Sequence, residues 1–116
     1  MTTSRVRPIK RVLVTGGAGY VGAVLVPKLL AQGYQVRVLD LFLYGHHVLA
    51  PVKDQPGLEQ VEGDIRDAAL LKRVIPGCEA VIHLAAYQDY MLDFSTFFQV
   101  NTVSTALLYE IIVGRK

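Results

Sequence analysis

The stretch Val12-Leu-Val-Thr-Gly-Gly-Ala-Gly-Tyr-Val-Gly22 decides the fold of this 116-residue chain. It places Gly16, Gly19 and Gly22 where an apolar, β-branched run gives way to the pattern of an amphipathic helix. Glycine accepts the positive φ of a tight turn and presents no Cβ to a phosphate group approaching the backbone. The following helix directs free amides and its positive dipole end at such phosphates. The stretch therefore predicts a dinucleotide-binding turn, with a purely structural turn as the alternative.

A second apolar run, Gln35–Asp40, ends in a carboxylate 18 residues after Gly22. An acid at this spacing can accept hydrogen bonds from both hydroxyls of a ribose. The same charge repels a 2′-phosphate, and no arginine follows within several residues. Asp40 therefore favours NAD over NADP, and a solvated strand end is the alternative interpretation.

Periodicity and turn residues predict four strands that alternate with helices along the chain. The strands are expected at residues 11–15, 35–40, 58–62 and 80–84. The helices are expected at residues 20–32, 67–74 and 95–113. Each strand-helix-strand unit implies a parallel pair with a right-handed crossover, which gives the strand order three, two, one, four. The fold class is thus α/β, with a ligand expected across the carboxyl ends of strands one and four.

These motifs resemble those of the extended short-chain dehydrogenase/reductase family, the NAD-dependent epimerases and dehydratases of nucleotide sugars. The turn of that family reads Thr-Gly-x-x-Gly-x-x-Gly, which Thr15, Gly16, Gly19 and Gly22 match. The resemblance implies a Rossmann-type doubly wound parallel sheet and NAD as the cofactor. It also implies that backbone amides meet the pyrophosphate at Tyr20 and Val21.

Three further segments extend the resemblance along the chain. Gly63-Asp-Ile-Arg-Asp67 is similar to the adenine-pocket segment of the family, in which Asp64 would bond the adenine amino group and Ile65 would flank the ring. Val81-Ile-His-Leu-Ala-Ala86 is similar to the fourth strand, whose final residues let the cofactor pass close. The segment that begins at Asn101 is similar to the helix whose Asn faces the nicotinamide half. The remaining cofactor-binding positions that the resemblance implies are Leu84, Ala85, Ala86 and Tyr87.

The catalytic pair of the family is missing from this chain. Family catalysis rests on Tyr-x-x-x-Lys, and none of the six tyrosines here is followed by lysine four places on. We therefore expect no catalytic residue. Residues 11–116 are expected to form the N-terminal part of an NAD-binding Rossmann domain, preceded by a flexible basic tail at residues 1–10. The catalytic and substrate-binding part is expected to be absent.

Three functions remain open after these comparisons of motifs. The first is the NAD-binding portion of an epimerase or dehydratase that acts on a nucleotide sugar through a transient keto intermediate. The second is a non-catalytic nucleotide-binding or structural module with a truncated Rossmann fold. The third is an NADP-dependent reductase of the same family, which Asp40 argues against.

Composition limits the partners and the compartment. Six of the 12 basic residues lie at the two ends, so the rest of the chain carries more acids than bases and a nucleic-acid partner is not expected. No apolar run approaches a membrane span, and the amino end lacks the apolar core of a signal peptide. The single Cys78 fits a reducing compartment, so we expect a cytoplasmic protein. The expected partners are a nucleotide sugar or related small molecule, and either a second copy, as a dimer by family analogy, or a complementing C-terminal half.

The remaining chemistry-bearing residues have structural interpretations. His46 and His47 have no cysteine or acid at ligand spacing, so no metal site is expected. His83 is expected to be a satisfied core histidine rather than a base. Cys78 is expected to be a small buried hydrophobe rather than a reactive thiol. The apolar loop at residues 40–56 is expected to pack on something, and the loop at residues 87–94 either contacts substrate or caps the last helix.

Overall fold

A computed structural model describes residues 8–86 and 99–114 of the chain. Four parallel strands form its single described sheet, in the spatial order β3-β2-β1-β4. They are β1 (Arg11–Thr15), β2 (Gln35–Asp40), β3 (Leu58–Glu62) and β4 (Ala80–His83). The predicted α/β class and the predicted strand order are both confirmed. The fourth strand ends one residue earlier than expected, although the Leu84 amide still donates to the Thr15 carbonyl at 2.9 Å.

Two α-helices lie between consecutive strands, and a third follows β4. They are α1 (Tyr20–Ala31), α2 (Ala68–Val74) and α3 (Ser104–Gly114). Asp67 caps α2, since its side chain accepts from the Leu70 amide. Of the helix expected at residues 95–113, residues 95–98 lie outside the described residues. The part that follows begins as a π-helix at Gln99–Val103 and becomes α-helical only at Ser104.

The two faces of the sheet carry two separate apolar cores. Along β1, Val12 and Val14 point to the face covered by α1, whereas Leu13 points to the face covered by α2 and α3. All three side chains are buried. A strand buried on both faces reads as an unbroken apolar run rather than an alternating one, which is what the sequence shows. The helices therefore lie on both faces of the sheet, as in a doubly wound fold.

Register aligns the carboxyl ends of the strands that surround the glycine turn. Thr15, the last residue of β1, pairs with Leu39 on one side and with His83 on the other. Asp40 and Leu84 thus follow at the same edge of the sheet, flanking the residues that leave β1. This edge is where ligands bind in open α/β sheets.

The loop at residues 40–56 is more ordered than the sequence predicts. It contains a 3₁₀ helix at His46–Val52, in which Leu49 and Val52 are buried against the α1 side of the sheet. The prediction that its apolar residues pack is confirmed for Leu49, Val52 and Phe42, which is 8% exposed, and wrong for Leu43, which is 77% exposed. Tyr44 is 59% exposed, although its ring contacts that of Tyr20. Within the described residues, no helix combines the length and the hydropathy that crossing a membrane demands.

Candidate functional site

The glycine turn is wedged between two neighbouring strand ends. Gly16 has φ +71° and donates its amide to the Leu39 carbonyl at 2.8 Å. A Cβ on Gly16 would lie 2.7 Å from the Ala85 amide nitrogen, which is closer than van der Waals contact allows. Both the backbone conformation and the contact with the end of β4 therefore require glycine here.

Two further glycines are required by packing alone. A Cβ on Gly22 would overlap the backbone of Gly17, so these residues let α1 begin directly against the turn. A Cβ on Gly17 would in turn lie 2.9 Å from both methyl groups of Val38. Gly22, the third glycine of the predicted motif, thus brings α1 close to the sheet. It does not line the cavity described below.

Gly19 has no such structural requirement. Its φ of −95° and ψ of −165° are open to any residue, and the nearest atom to an added Cβ is the Gly16 carbonyl oxygen at 3.4 Å. Gly19 is nevertheless the N-cap of α1, a position where a serine, threonine or aspartate would supply the capping hydrogen bond that is absent here. The missing side chain leaves the first amides of α1 open toward the cavity. Space and free donors at a helix N-terminus together suit a phosphate group.

A cavity of about 710 Å³ opens beside this turn, at the carboxyl edge of the sheet. Its volume falls in the range of small-molecule and cofactor sites. Most residues predicted to bind a cofactor line it: Gly16, Gly19, Tyr20, Val21, Asp40, Asp64, Ile65, Leu84, Ala85 and Ala86. The structure therefore brings together residues from four separate segments of the sequence.

Asp40 is held at the cavity wall by two backbone amides. Its Oδ2 accepts from the Ala18 amide at 2.9 Å, and its Oδ1 accepts from the Phe42 amide at 2.7 Å. A carboxylate offers about four acceptor sites, so each oxygen keeps one for a ligand hydroxyl. The two amides fix the carboxylate in place, which prepares it to bind a vicinal diol.

Asp64 and Ile65 line another part of the cavity wall. Ile65 is buried, and the Asp64 carboxylate is paired with the Arg66 guanidinium, the closest approach being Nη2 to Oδ2 at 2.6 Å. Hydrogen bonding from Arg66 holds the pKa of Asp64 below its ordinary value, although partial burial opposes the shift. Asp64 is thus an anionic acceptor at the cavity, with Arg66 lining the cavity beside it.

Two other predicted positions are not brought to the cavity wall. Asn101 lies in the π-helix and does not line the cavity, whereas its neighbour Val100 does. Tyr87 lies outside the described residues, as do the polar residues of the loop that begins with it. The roles assigned to these positions stay predictions.

The structure adds lining residues that motif analysis missed. They are Leu39, Leu41, Leu43, Tyr44, Gly63, Arg66 and Val100. The rings of Tyr20 and Tyr44 lie 5.8 Å apart, so the loop after β2 meets the start of α1 at the mouth of the cavity. The signal available in the sequence was the unbroken apolar run that directly follows Asp40.

The contacts of His46, His83 and Cys78 fit structural roles. His46 stacks on Phe42 with ring centroids 4.3 Å apart, and the described residues contain no group of three or more metal-ligating side chains. Both ring nitrogens of His83 have hydroxyl partners, which confirms that the ring is satisfied, although the residue is only half-buried. Cys78 is buried, as predicted, and burial raises the pKa of its thiol.

Comparison with known proteins agrees with this geometry. The model of the NAD dependent epimerase/dehydratase family matches residues 12–115. The chain belongs to this family. Its matched region includes the glycine turn, Asp40 and every described wall of the cavity.

Relatives within the epimerase/dehydratase family are much longer than this chain. A dTDP-glucose 4,6-dehydratase of Streptomyces niveus is 37% identical over 111 residues, covering 86% of this chain and 33% of the relative. A 3-beta-hydroxysteroid dehydrogenase of Mycolicibacterium neoaurum is 41% identical over 81 residues, covering 70% of this chain and 20% of the relative. The chain therefore spans a third or less of the length of these curated relatives.

A solved structure extends the likeness to three dimensions. DesIV, a dTDP-glucose 4,6-dehydratase from Streptomyces venezuelae with NAD bound, superposes with a TM-score of 0.81 at 40% identity. The superposition covers 90% of this chain and 36% of DesIV. The chain thus corresponds to the N-terminal, NAD-binding part of an epimerase/dehydratase.

Proposed function

We propose that this chain is the NAD-binding portion of an NAD-dependent epimerase or dehydratase that acts on a nucleotide sugar through a transient keto intermediate. The proposal rests on Gly19. The fold has room for a side chain at this position, yet the sequence has none. That residue and the uncapped amides of α1 leave a space for a pyrophosphate. The substrate class rests on the dehydratase relatives, which match more of this chain than the steroid dehydrogenase does.

Different residues of the cavity would bind different parts of the cofactor. The amides of Tyr20 and Val21 would hold the pyrophosphate, and Asp40 would accept from the ribose hydroxyls. Asp64 and Ile65 would bind the adenine. The end of β4, with Leu84, Ala85 and Ala86, would leave room for the nicotinamide half. The family resemblance also assigns Tyr87 and Asn101 to that half of the cofactor.

The chain itself supplies binding and orientation. The chemistry that NAD would supply when held by these residues is hydride acceptance, which oxidises a sugar alcohol to a ketone when a base also takes the hydroxyl proton. The sequence contains no Tyr-x-x-x-Lys pair to take the hydroxyl proton, so turnover would need residues beyond this segment. Those would come from a complementing C-terminal half, and a dimer is the assembly expected by family analogy. The buried free Cys78 supports a reducing compartment such as the cytoplasm.

Calorimetric titration of NAD and NADP into the protein as its gene encodes it tests this proposal. The wild type should bind NAD more tightly than NADP, because Asp40 accepts from the ribose diol and repels a 2′-phosphate. The Asp40→Ala variant should lose about 10- to 100-fold in NAD affinity, the value of a hydrogen bond to a charged group. It should lose less affinity for NADP, so the ratio of the two affinities isolates the ribose contact from any effect on the Ala18 and Phe42 amides.

Glu62→Ala provides the matched control. Glu62 pairs with Asp40 in the β2–β3 register and is 64% exposed, yet it does not line the cavity. Removing it changes the net charge equally and should leave both affinities unchanged. Equal losses of NAD and NADP in Asp40→Ala would contradict the ribose assignment, and a wild type that binds neither would contradict the proposed function.

A further inference from the structure

His83 joins three elements of the fold through its two ring nitrogens. Nδ1 lies 2.6 Å from the Thr15 hydroxyl at the end of β1, and Nε2 lies 3.0 Å from the Thr105 hydroxyl in α3. Thr15 is completely buried, so water does not compete for its hydroxyl. The Thr15 hydroxyl also accepts from the amide of Ala85, which lines the cavity, at 3.3 Å.

The second threonine fixes the direction of these bonds. A hydroxyl has one proton to donate, and the Thr105 hydroxyl donates it to the Asn101 carbonyl at 3.2 Å. Toward His83 it therefore acts as the acceptor, so Nε2 must carry a proton. In the neutral ring Nδ1 is then bare and accepts from Thr15. Thr15 in turn has its lone pairs free for the Ala85 amide, and every hydroxyl proton is used once.

We infer that His83 is a positioning residue for the cofactor cavity, held as the neutral Nε2–H tautomer in a one-way chain of hydrogen bonds. The chain runs from the Ala85 amide through Thr15, His83 and Thr105 to the Asn101 carbonyl in the π-helix. It fixes the end of β4 relative to α3. Its effect on cofactor affinity rests on the proposed function, because that proposal assigns Ala85 to the NAD site.

The surroundings of Ala85 explain why its position matters. Its backbone lies so close to Gly16 that no Cβ fits between them, so the end of β4 and the glycine turn share one wall of the cavity. β4 stops at His83, and the sheet no longer fixes the residues beyond Leu84. The hydrogen bond from Ala85 to Thr15 then takes over where the β1–β4 ladder ends. A proton on Nδ1 would reverse the His83–Thr15 bond and break the one-way order.

Two substitutions of His83 separate the halves of the chain of bonds. The amide group of asparagine reaches about as far from Cα as Nδ1 does, and that of glutamine reaches about as far as Nε2 does. His83→Asn therefore keeps an acceptor for Thr15, whereas His83→Gln keeps only a donor for Thr105. Thr15→Val removes the hydroxyl that binds the Ala85 amide. Thr102→Val, at an exposed π-helix position, is the matched control.

The test combines NMR of the ¹⁵N-labelled protein, as its gene encodes it, with NAD titration of the variants. The ring signals of His83 should show Nε2 protonated and Nδ1 bare at neutral pH. His83→Gln and Thr15→Val should shift the Ala85 amide resonance and weaken NAD binding about tenfold. His83→Asn and Thr102→Val should stay within about threefold of the wild type.

Several results would overturn the inference. A proton on Nδ1 in the wild-type ring would contradict it, whatever the variants do. Equal losses of NAD affinity in His83→Asn and His83→Gln, with equal losses of stability, would reduce His83 to a packing residue. If the wild type binds no NAD, the proposed function fails, and the ring tautomer with the Ala85 shift in Thr15→Val still decides the role of His83. Should the His83 variants not fold, those same two measurements decide it.

Discussion

Gly22 packs directly on Gly17, so closely that a Cβ on Gly22 would overlap the Gly17 carbonyl. Gly19 belongs to the same motif, yet its added Cβ would meet only the Gly16 carbonyl oxygen, at an ordinary 3.4 Å. The packing of α1 on the turn thus explains the glycine at position 22, whereas a ligand explains the glycine at position 19. A single motif therefore contains positions whose substitutions should fail in different ways.

The Gly22→Ala variant should lose stability, and the Gly19→Ala variant should lose ligand affinity. Overpacking against backbone costs about 1–3 kcal/mol, which urea unfolding of Gly22→Ala should show. In Gly19→Ala, alanine is a poorer N-cap but restricts the unfolded chain, so stability should change by less than about 1 kcal/mol. Its NAD affinity should nevertheless fall at least tenfold, because the new methyl group enters the cavity. Wild-type NAD affinity in Gly19→Ala would contradict the role assigned to this residue.

Arg37 stabilises the carboxyl end of α2 from the neighbouring strand. Its Nη1 donates to the carbonyls of Val74 at 2.7 Å and Pro76 at 2.9 Å, and its Nε pairs with Glu59 at 2.9 Å. Arg37→Met keeps the apolar stem but removes the guanidinium donor from both carbonyls, and Val74 keeps only the weak Cys78 thiol donor at 3.8 Å. The free energy of unfolding should fall by roughly 1–3 kcal/mol in urea denaturation. Arg73→Met, at an exposed position of α2, should change it by less than about 0.5 kcal/mol, and equal effects would refute the capping role.

Acid should destabilise the protein partly through His83. Burial lowers the pKa of this histidine from its ordinary 6.5. As the pH falls below about 6.5, His83 of the unfolded state binds a proton. His83 of the folded state binds that proton only when the pH reaches its own, lower pKa. The free energy of unfolding should therefore decrease through this window, and above it His83 contributes no pH dependence.

His83→Asn should flatten that part of the stability profile, because its side chain does not titrate. Chemical denaturation at closely spaced pH values measures both profiles. Below about pH 4 both proteins should lose further stability, since the pKa of Asp64 is held down by Arg66 and its protonation breaks that pair. Parallel profiles between pH 4 and 7 would show that His83 is not the group responsible.

Cys78 should react slowly with thiol reagents in the native protein. The residue is 9% exposed, and burial raises the pKa of the thiol, so the reactive thiolate is scarce at neutral pH. A colorimetric disulfide reagent should label the native protein at least tenfold more slowly than the protein in urea. Equally fast labelling in both conditions would indicate an accessible, reactive thiol instead.

Much of the sheet could be predicted from the sequence because its signals are local. The bounds of β1 and β2 follow from apolar runs closed by turn residues, and the strand order follows from the handedness of parallel crossovers. The 3₁₀ helix at His46–Val52 escaped prediction because its apolar residues follow no α-helical period. The π-helix before α3 likewise leaves no pattern in the sequence, although the Ser104 hydroxyl bonds the Val100 carbonyl where the α-helix begins.

The candidate site was predictable where one short motif fixes both the backbone and the chemistry. The glycine turn and Asp40 are such cases, and both line the cavity. Tyr44 and Arg66 reach the cavity only because the loop after β2 and the segment after β3 meet at one sheet edge. The requirement for glycine at position 17 was missed for a second reason. A Cβ there would clash with Val38 of β2, which is distant in the sequence. Such contacts depend on tertiary packing, which a linear pattern does not record.

A crystal structure of the protein, as its gene encodes it, grown with NAD is the most direct test of the proposed cofactor site. The pyrophosphate should lie against the amides of Tyr20 and Val21, over Gly19, with the adenosine ribose hydroxyls at the Asp40 carboxylate. NAD bound away from this cavity, or in the cavity with its ribose hydroxyls directed away from Asp40, would contradict the proposed site.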